Sequence, residues 1–521
     1  MASGNQLGRR AMHTGIALFY GNMLSFLLGI AVLVAIARLL GPSQFGAYTI
    51  AVSYYLLVDA AFQYGIGSYM SKHLAQYSAG SPNKELLVSS LRSGLSLALI
   101  FAAATTALGI GAAFFAAKIY ANAGITFATL AIASSIIFFA ILYNVSVSGL
   151  TGLGKSKLIA EAMSFQALAE LVGAVSLVLL GFGVNGALAG ISLGYAFGFA
   201  IAISLLLSEF RKIAGATALH SRSTLREALH FIAPLGAINV MGSATGNFST
   251  LLLGVFVPAA VIGSFGIATR SVAGLTSIYV SITAMLLPVF SISIAASRAH
   301  GKAALDKGAY NNLLAYSLSF VLPMFVFVAV LSRPLVFLFV SDKYAYAPLY
   351  LSLIAIGISI SLLGRFISSL FIATGMNKDL MLLYALAAVV QLALLLALVP
   401  ILKAIGAIVA VFFFGSAAFT YLMARASKRR LGAQADIPRI LRIFAAGALL
   451  GIALLASYAL HSAVKELLLG IAIALIIYPA LLGALKALSK SDIRKISNAV
   501  EGLPARKLFE LFLRYANCFA S

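Results

Sequence analysis

Long apolar stretches separated by short polar segments constrain this chain more than any other feature of its sequence. A helix that crosses the hydrocarbon core of a bilayer needs about 20 mainly apolar residues. Fourteen stretches approach or exceed that length, with approximate limits 14–40, 45–69, 94–116, 125–150, 159–181, 187–208, 229–255, 261–294, 311–332, 347–373, 380–401, 405–424, 441–460 and 467–488. We therefore predict an all-α polytopic membrane protein with about 14 transmembrane helices.

The distribution of positive charge predicts how the chain crosses the membrane. With the N-terminus in the cytoplasm, cytoplasmic segments hold 28 of the 36 Lys and Arg residues, external segments six and helices two. Cytoplasmic loops of membrane proteins carry such an excess of positive charge. We predict a multi-pass protein of the cell (plasma or inner) membrane with both termini cytoplasmic. The formal net charge of +22 then reflects topology, and a nucleic-acid partner is not expected.

Several short segments recur in the same order and at nearly constant spacing, which indicates an internal repeat. QFGAY at Gln44–Tyr48 resembles VIGSF at Val261–Phe265. TGLGKS at 151–156 resembles TGMNKD at 374–379, and NGALAG at 185–190 resembles IGAIVA at 405–410. The offsets of the three matches differ by only a few positions. Chance similarity among apolar helices is the alternative.

A repeat of six helices predicts two lobes related by a parallel pseudo-twofold axis, as in some transporters. The N-lobe would span residues 1–208 with helices 1–6, and the C-lobe residues 209–424 with helices 7–12. Residues 425–490 would add helices 13 and 14, and residues 491–521 a cytoplasmic amphipathic tail.

Ionisable and polar residues within the spans are the candidate functional residues, because charge is costly in hydrocarbon and usually faces a cavity or a buried partner. On helical spacing, Tyr55, Asp59 and Gln63 share one face of helix 2, and Ser361, Arg365, Ser368 and Ser369 share another on helix 10. For Asp59 and the arginines, an internal ion pair is the alternative interpretation. The candidates for lining a substrate cavity are Arg38, Arg270, Arg365, Asn22, Asn239, Tyr55 and Gln63, and those for ion coupling are Asp59 and Glu170.

The sequence contains no pattern typical of a catalytic or metal site. GLTGLGKS at Gly149–Ser156 matches the P-loop expression, but it falls in a turn between two membrane helices rather than between a strand and a helix. No His, Cys, Asp or Glu residues have metal-ligand spacing, and no catalytic residues are proposed. An enzyme, such as a membrane-embedded transferase, is the less favoured interpretation.

Two longer segments and the turn sequences resemble a known family. ARLLGPSQFGAY at Ala37–Tyr48 and VDAAFQYGIGSYMSK at Val58–Lys72 are similar to the polysaccharide or O-antigen flippase family of the multidrug/oligosaccharidyl-lipid/polysaccharide superfamily. TGLGKSK at 151–157 and ATGMNK at 373–378 fit the same family. The resemblance implies a V-shaped, two-lobed bundle with a central cavity, in which one lobe rocks against the other.

The resemblance also implies a function, which is the flipping of an isoprenoid-(pyro)phosphate-linked oligosaccharide from the inner to the outer leaflet. The expected partners are this lipid-linked glycan, membrane lipids and polysaccharide assembly proteins. No cofactor is expected, although an H⁺ gradient, a Na⁺ gradient or the membrane potential could drive transport. A peptidoglycan lipid-precursor flippase and an ion-coupled drug or cation antiporter of the same superfamily are the alternatives.

Overall fold

All regular structure in the described part of the chain is helical. The computed structural model describes residues 2–60, 63–78, 84–214, 246–276, 279, 307–374, 376–432 and 434–488. In chain order the helices are α1 (Ala2–Asp59), α2 (Gln63–Ser78), α3 (Lys84–Ile119), α4 (Phe127–Gly152), α5 (Ser156–Leu177), α6 (Gly183–Ala214), α7 (Gly246–Phe256), α8 (Ala259–Thr276), α9 (Lys307–Val330), α10 (Ser332–Phe339), α11 (Ala347–Ala373), α12 (Asn377–Ile408), α13 (Ser416–Leu431), α14 (Ile437–Leu455) and α15 (Ala463–Ala484). The predicted tail at 491–521 lies outside the described residues.

Ten described segments are long and apolar enough to cross a membrane. Two of them, Ser156–Ile213 and Lys378–Arg430, contain 58 and 53 residues. At 1.5 Å per residue each would extend roughly 80 Å, against a hydrocarbon core of about 30 Å. Each is therefore long enough for two crossings. The all-α polytopic prediction is confirmed, and the count of fourteen helices stays a prediction.

Backbone breaks within these long segments fall at equivalent positions of the predicted repeat. Gly183 has φ 52° and ψ −132°, and Lys403 has φ 52° and ψ −128°. The offset from Gly183 to Lys403 is the same as the offset from NGALAG to IGAIVA, which begin at positions 185 and 405. The same unusual conformation at the same offset supports a structural repeat over these helices.

A second pair of breaks follows the offset between QFGAY and VIGSF. Gly41, with φ 70° and ψ 174°, divides α1 into two segments just before Pro42. The corresponding break separates α7 from α8, whose first residue, Ala259, is the repeat equivalent of Pro42. The chain therefore turns at the same repeat position in both copies. This turn lies next to QFGAY in the first copy and next to VIGSF in the second.

The second segment of α1 packs against α8 through a reciprocal backbone contact. A Cβ atom at Gly46 would overlap the carbonyl oxygen of Ala259, and one at Gly263 would overlap that of Pro42. Gly46 and Gly263 are equivalent in the repeat, as are Pro42 and Ala259. Small residues allow membrane helices to approach this closely, so the glycines of the two repeated motifs have a common packing role.

Ion pairs fix the turn after α4 and the turn after α11. Lys155 Nζ lies 2.7 Å from Glu209 Oε2 near the end of α6, and Lys212 also pairs with Glu209. In the other turn, Asp379 Oδ1 lies 3.2 Å from Arg430 Nη2 near the end of α13. The two pairs join corresponding helices through different residues, because the repeat aligns Lys155 with Lys378 and Asp379 with Ser156. Lys155 of the P-loop-like sequence thus binds a carboxylate of its own chain.

Packing divides the chain into two compact units, residues 1–266 and 267–521. In the first unit, Tyr120 after α3 donates its hydroxyl to the carbonyl of Leu251 in α7 at 3.0 Å. The first unit therefore includes α7 and the beginning of α8, beyond residue 208. The predicted domain boundaries were drawn from the sequence repeat, whereas the two units are defined by packing. The predicted boundaries stay a prediction.

In the second unit, α14 and α15 pack against α9. Arg439 at the start of α14 donates from Nη1 to Asn312 Oδ1 at 2.7 Å and from Nε to the Ala487 carbonyl at 2.9 Å. Near the opposite end of α14, the Tyr458 hydroxyl donates to the Val330 carbonyl at 2.7 Å. The helices predicted at residues 425–490 are thus anchored to α9 at both ends.

We expect Gly46→Ala and Gly263→Ala each to destabilise the protein by about 1–3 kcal/mol, because the added methyl group collides with backbone that cannot move aside. The control is Gly111→Ala in α3, where a Cβ would meet nothing within 4 Å. Since the chain has no Trp, thermal unfolding is followed by circular dichroism. Equal melting temperatures for all three variants would contradict the reciprocal contact.

We expect Lys403→Gly to stabilise the protein by about 1 kcal/mol, because it relieves a conformation that only glycine adopts without strain. Gly183→Ala should have the opposite effect. A Cβ there would meet its nearest atom, Gln44 Oε1, at 3.6 Å, so only backbone strain is added. The melting temperature of each variant measures the effect, and a lower value for Lys403→Gly would show that the lysine side chain is needed.

Candidate functional site

A polar cluster lies within the first unit, between helices that contact closely. Glycines of α6 provide the close approach: a Cβ at Gly194 would lie 2.7 Å from the Cβ of Glu170, and one at Gly198 would lie 2.7 Å from the Cβ of Gln166. This packing places two polar side chains of α5 directly against α6. Without these glycines, α5 and α6 would be held apart and the cluster would open.

Hydrogen bonds and ring contacts order the cluster. Gln166 Nε2 donates to Glu170 Oε2 at 2.8 Å. The rings of Tyr143 on α4 and Tyr195 on α6 meet edge to face, with centroids 5.7 Å apart and an interplanar angle of 66°. Tyr195 also lies within electrostatic reach of both carboxylates of the cluster and of a third tyrosine: Asp59, Glu170 and Tyr55. The cluster therefore combines two carboxyl groups with three phenols.

Asp59 is the unusual member of this cluster. Its side chain is 3% exposed, and its Oδ1 atom is buried without a hydrogen-bond partner among the described residues. Within that same part of the chain Asp59 forms no salt bridge, so the alternative of an internal ion pair is not observed for it there. An unpaired buried carboxylate is costly, which makes this group suited to taking up a proton or a small cation.

A second polar group surrounds Arg365 in the second unit. Arg365 is half-buried in α11, and its Nε donates to Ser361 Oγ at 3.3 Å. The other two serines of the predicted stripe, Ser368 and Ser369, donate instead to the Arg365 carbonyl, at 2.7 and 3.3 Å. In the described part of the chain, Ser361 is the only side chain that accepts from this guanidinium. Most of its donors therefore have no acceptor within the described part of the chain.

Tyr279 places an aromatic hydroxyl beside this arginine. Its hydroxyl donates to the Leu362 carbonyl at 2.7 Å, one turn before Arg365 on α11. Tyr279 is 1% exposed and interacts electrostatically with Arg365 and with Tyr384 of α12. The Tyr279 hydroxyl thus holds the backbone of α11 one turn before Arg365.

The remaining candidates differ in how the structure places them. Arg270 is half-buried in α8, four residues after Gly266, whereas Arg38 is exposed three residues before the break at Gly41. Asn22 lies in α1, and Gln63 begins α2. Asn239 lies outside the described residues. The structure thus brings Tyr55, Asp59 and Glu170 together, and it places Arg365 with a separate set of partners.

Four members of these clusters were not predicted: Tyr143, Gln166, Tyr195 and Tyr279. Gln166 precedes Glu170 by one helical turn, so its position on the same face was readable from the sequence. The tyrosines carry no such signal, because they reach the clusters from other helices. In the described residues, no group of three His, Cys, Asp or Glu side chains could hold a metal ion.

We expect Asp59→Asn to raise the melting temperature at neutral pH, because it removes a buried ionisable carboxyl group that has no partner among the described residues. The gain should be about 1–3 kcal/mol. Glu170→Gln is the matched control, since a glutamine oxygen also accepts the hydrogen bond from Gln166. A loss of stability in Asp59→Asn, with Glu170→Gln unchanged, would show that Asp59 is paired in the folded protein.

Comparison with solved structures identifies the fold. The lipid II flippase MurJ, in an inward closed conformation, aligns with a TM-score of 0.68 and 17% identity over 90% of this chain and 99% of that one. An inward-facing multidrug resistance MATE transporter of the MOP superfamily aligns with a TM-score of 0.62 and 17% identity over 80% of this chain and 98% of that one. The chain is therefore a multi-pass membrane protein with the transporter fold of that superfamily.

A third solved structure is a MOP superfamily transporter from Pyrococcus furiosus, whose binding pocket is described as having reverse polarity. It aligns with a TM-score of 0.55 and 16% identity over 81% of this chain and 95% of that one. A comparison with curated protein sequences gives no match. The sequence profile described as "Polysaccharide biosynthesis protein" matches residues 35–349, which is more than half of the chain. The chain belongs to this polysaccharide biosynthesis family.

Proposed function

We propose that the protein moves an isoprenoid lipid bearing a (pyro)phosphate-linked oligosaccharide from the inner to the outer leaflet by alternating access. The product would serve polysaccharide or glycoconjugate biosynthesis. Membership of the polysaccharide biosynthesis family and the fold shared with a lipid II flippase support this assignment. A sugar–phosphate head group cannot cross about 30 Å of hydrocarbon unaided, so such a pathway needs a protein with a polar interior.

The observation that carries the proposal is the half-buried guanidinium of Arg365 within a membrane-spanning helix. An arginine at this depth is costly unless it faces a cavity or a partner. A guanidinium presents several donors in a planar fork that matches phosphate oxygens. The serine and tyrosine contacts fix α11 around Arg365 while leaving donors for the substrate. Arg270 and Arg38 would add positive charge along the path.

Asp59 and Glu170 are the proposed coupling groups. Asp59 lacks a hydrogen-bond partner for Oδ1 among the described residues, and Glu170 is held by Gln166. A carboxyl group in this situation can bind a proton or Na⁺ and release it when the surrounding helices rearrange. The coupling gradient would then be H⁺ or Na⁺, with the membrane potential as a further source of energy.

An ion-coupled cation antiporter is the second candidate function, and the same carboxylate cluster favours it. Tyrosines and carboxylates together suit an organic cation, through ring faces as well as charge. A peptidoglycan lipid-precursor flippase is a closer alternative, because its substrate would need the same phosphate recognition. The half-buried arginine of α11 favours either flippase over the antiporter, since it repels a cationic substrate.

The proposed location is the cell membrane, with both termini cytoplasmic, as the distribution of positive charge indicates. The proposed partners are the lipid-linked glycan, the surrounding lipids and polysaccharide assembly proteins. Neither a cofactor nor nucleic acid enters the proposed cycle.

A reconstitution experiment tests the function. In liposomes, the wild-type protein should move a lipid-linked oligosaccharide between leaflets, and Arg365→Ala should slow this movement at least tenfold, as expected for a lost charge-assisted hydrogen bond. Arg365→Lys should retain an intermediate rate, because it keeps the charge but loses the planar fork. The exposed Arg211 at the end of α6 supplies the control, Arg211→Ala, which should match the wild type.

The outcomes separate the candidate functions. Ion-driven uptake of a cationic dye, without movement of any isoprenoid-linked sugar, would establish the antiporter and exclude the flippase. Movement of lipid II in preference to other lipid-linked glycans would assign the peptidoglycan precursor. Equal flipping by wild type and Arg365→Ala would remove Arg365 from the substrate path.

A further inference from the structure

A shallow apolar groove lies on the second unit between α12 and α13. Its volume is about 430 Å³, and it is lined by Val390, Leu394, Phe414, Ala417, Ala418 and Tyr421. Phe414 and Tyr421 are 56% and 61% exposed. The groove belongs to the apolar segment Lys378–Arg430, which is long enough to span the membrane. Because the segment is apolar, we expect this groove to face hydrocarbon in a bilayer.

A π-helical turn creates one wall of this groove. The turn covers Val409–Gly415 and directly precedes α13. Gly415 packs against the side chain of Gln391, which leaves no room for a Cβ atom at position 415. Such turns change the direction of side chains on a helix and are frequent at functional sites. Here the turn places Phe414 beside the small residues Ala417 and Ala418, which form the floor.

The groove continues into a cluster of positive charge at one end. Arg425 follows Tyr421 by one turn, and its Nη1 donates to the Tyr421 hydroxyl at 3.2 Å. Lys428 and Arg429 are exposed one turn further on. Positions 418, 421, 425 and 429 recur at helical spacing, so the apolar and cationic parts share one face of α13.

The charge of this cluster is not cancelled within the described residues. The nearby carboxylate of Asp379 is paired with Arg430, at 3.2 Å. Arg425, Lys428 and Arg429 form no salt bridge with any described residue. Ala418 and Arg425 lie two turns apart, or about 10 Å along the helix axis. One leaflet of hydrocarbon is about 15 Å thick, so a chain lying in the groove would bring its phosphate to the cations.

We propose that this groove binds one anionic glycerophospholipid of the surrounding bilayer, with an acyl chain against Ala417 and Ala418 and its phosphate at Arg425 and Arg429. The cations lie at one end of the groove only. They would therefore hold a head group at one face of the membrane, which suits a resident lipid and not a substrate whose head must cross. The proposal does not depend on which substrate the protein carries.

Native mass spectrometry of the purified full-length protein tests the proposal. The protein is equilibrated in mixed micelles with equal amounts of phosphatidylglycerol and phosphatidylcholine. We expect bound phosphatidylglycerol to exceed phosphatidylcholine at least about fivefold, because a basic cluster attracts anionic lipid. Arg425→Gln combined with Arg429→Gln should abolish this preference. The control Arg211→Gln, at the end of α6, should retain it. Equal binding of the two lipids by the wild type would overturn the proposal.

Filling the groove gives an independent test. Ala418→Phe should reduce bound phospholipid of both kinds at least threefold, because its ring occupies the floor. The matched control is Ala445→Phe on the exposed face of α14, which should bind as the wild type does. Unchanged binding in Ala418→Phe would overturn the placement of the acyl chain. Displacement of phosphatidylglycerol by an equimolar polyisoprenyl phosphate would overturn the choice of occupant.

Discussion

Backbone contact at the crossing of α1 and α8 is the constraint on which the order of the first unit depends. Hydrocarbon provides no hydrophobic drive for helix association, so close packing and satisfied polar groups must supply it. Gly46 and Gly263 meet the carbonyls of Ala259 and Pro42 in reciprocal fashion. Any side chain there would separate the helices. The contact therefore fixes the register of α1 against the beginning of α8, where equivalent residues of the repeat meet.

The two compact units carry polar groups of opposite chemistry within apolar surroundings. The first holds Asp59 and Glu170 among tyrosines, and the second holds Arg365 among serines. Each buried charge opposes stability unless something compensates for it. A transporter resolves this conflict when ions and substrate occupy the groups during part of its cycle. On the proposed function, the instability of the empty groups would be part of the transport cycle.

Much of the fold was predictable, because the thickness of the bilayer sets how long an apolar helix must be to cross it. The repeat was also readable, and one of its offsets recurs in the backbone conformations of Gly183 and Lys403. The clusters were less predictable. Tyr143, Tyr195 and Glu170 lie on three helices, and their proximity arises from glycine packing between α5 and α6. Helical spacing finds residues on one face, but it does not identify which faces meet.

The two interhelical ion pairs have an evolutionary consequence. Lys155 with Glu209 and Asp379 with Arg430 each close within one repeat copy. Reversing the charge of a single partner leaves two like charges a few ångströms apart, which repel. If the copies descend from one duplicated ancestor, the two pairs arose separately, because the repeat aligns Lys155 with Lys378 and Asp379 with Ser156. Across homologous sequences, the members of each pair should therefore covary with each other and vary independently of the other pair.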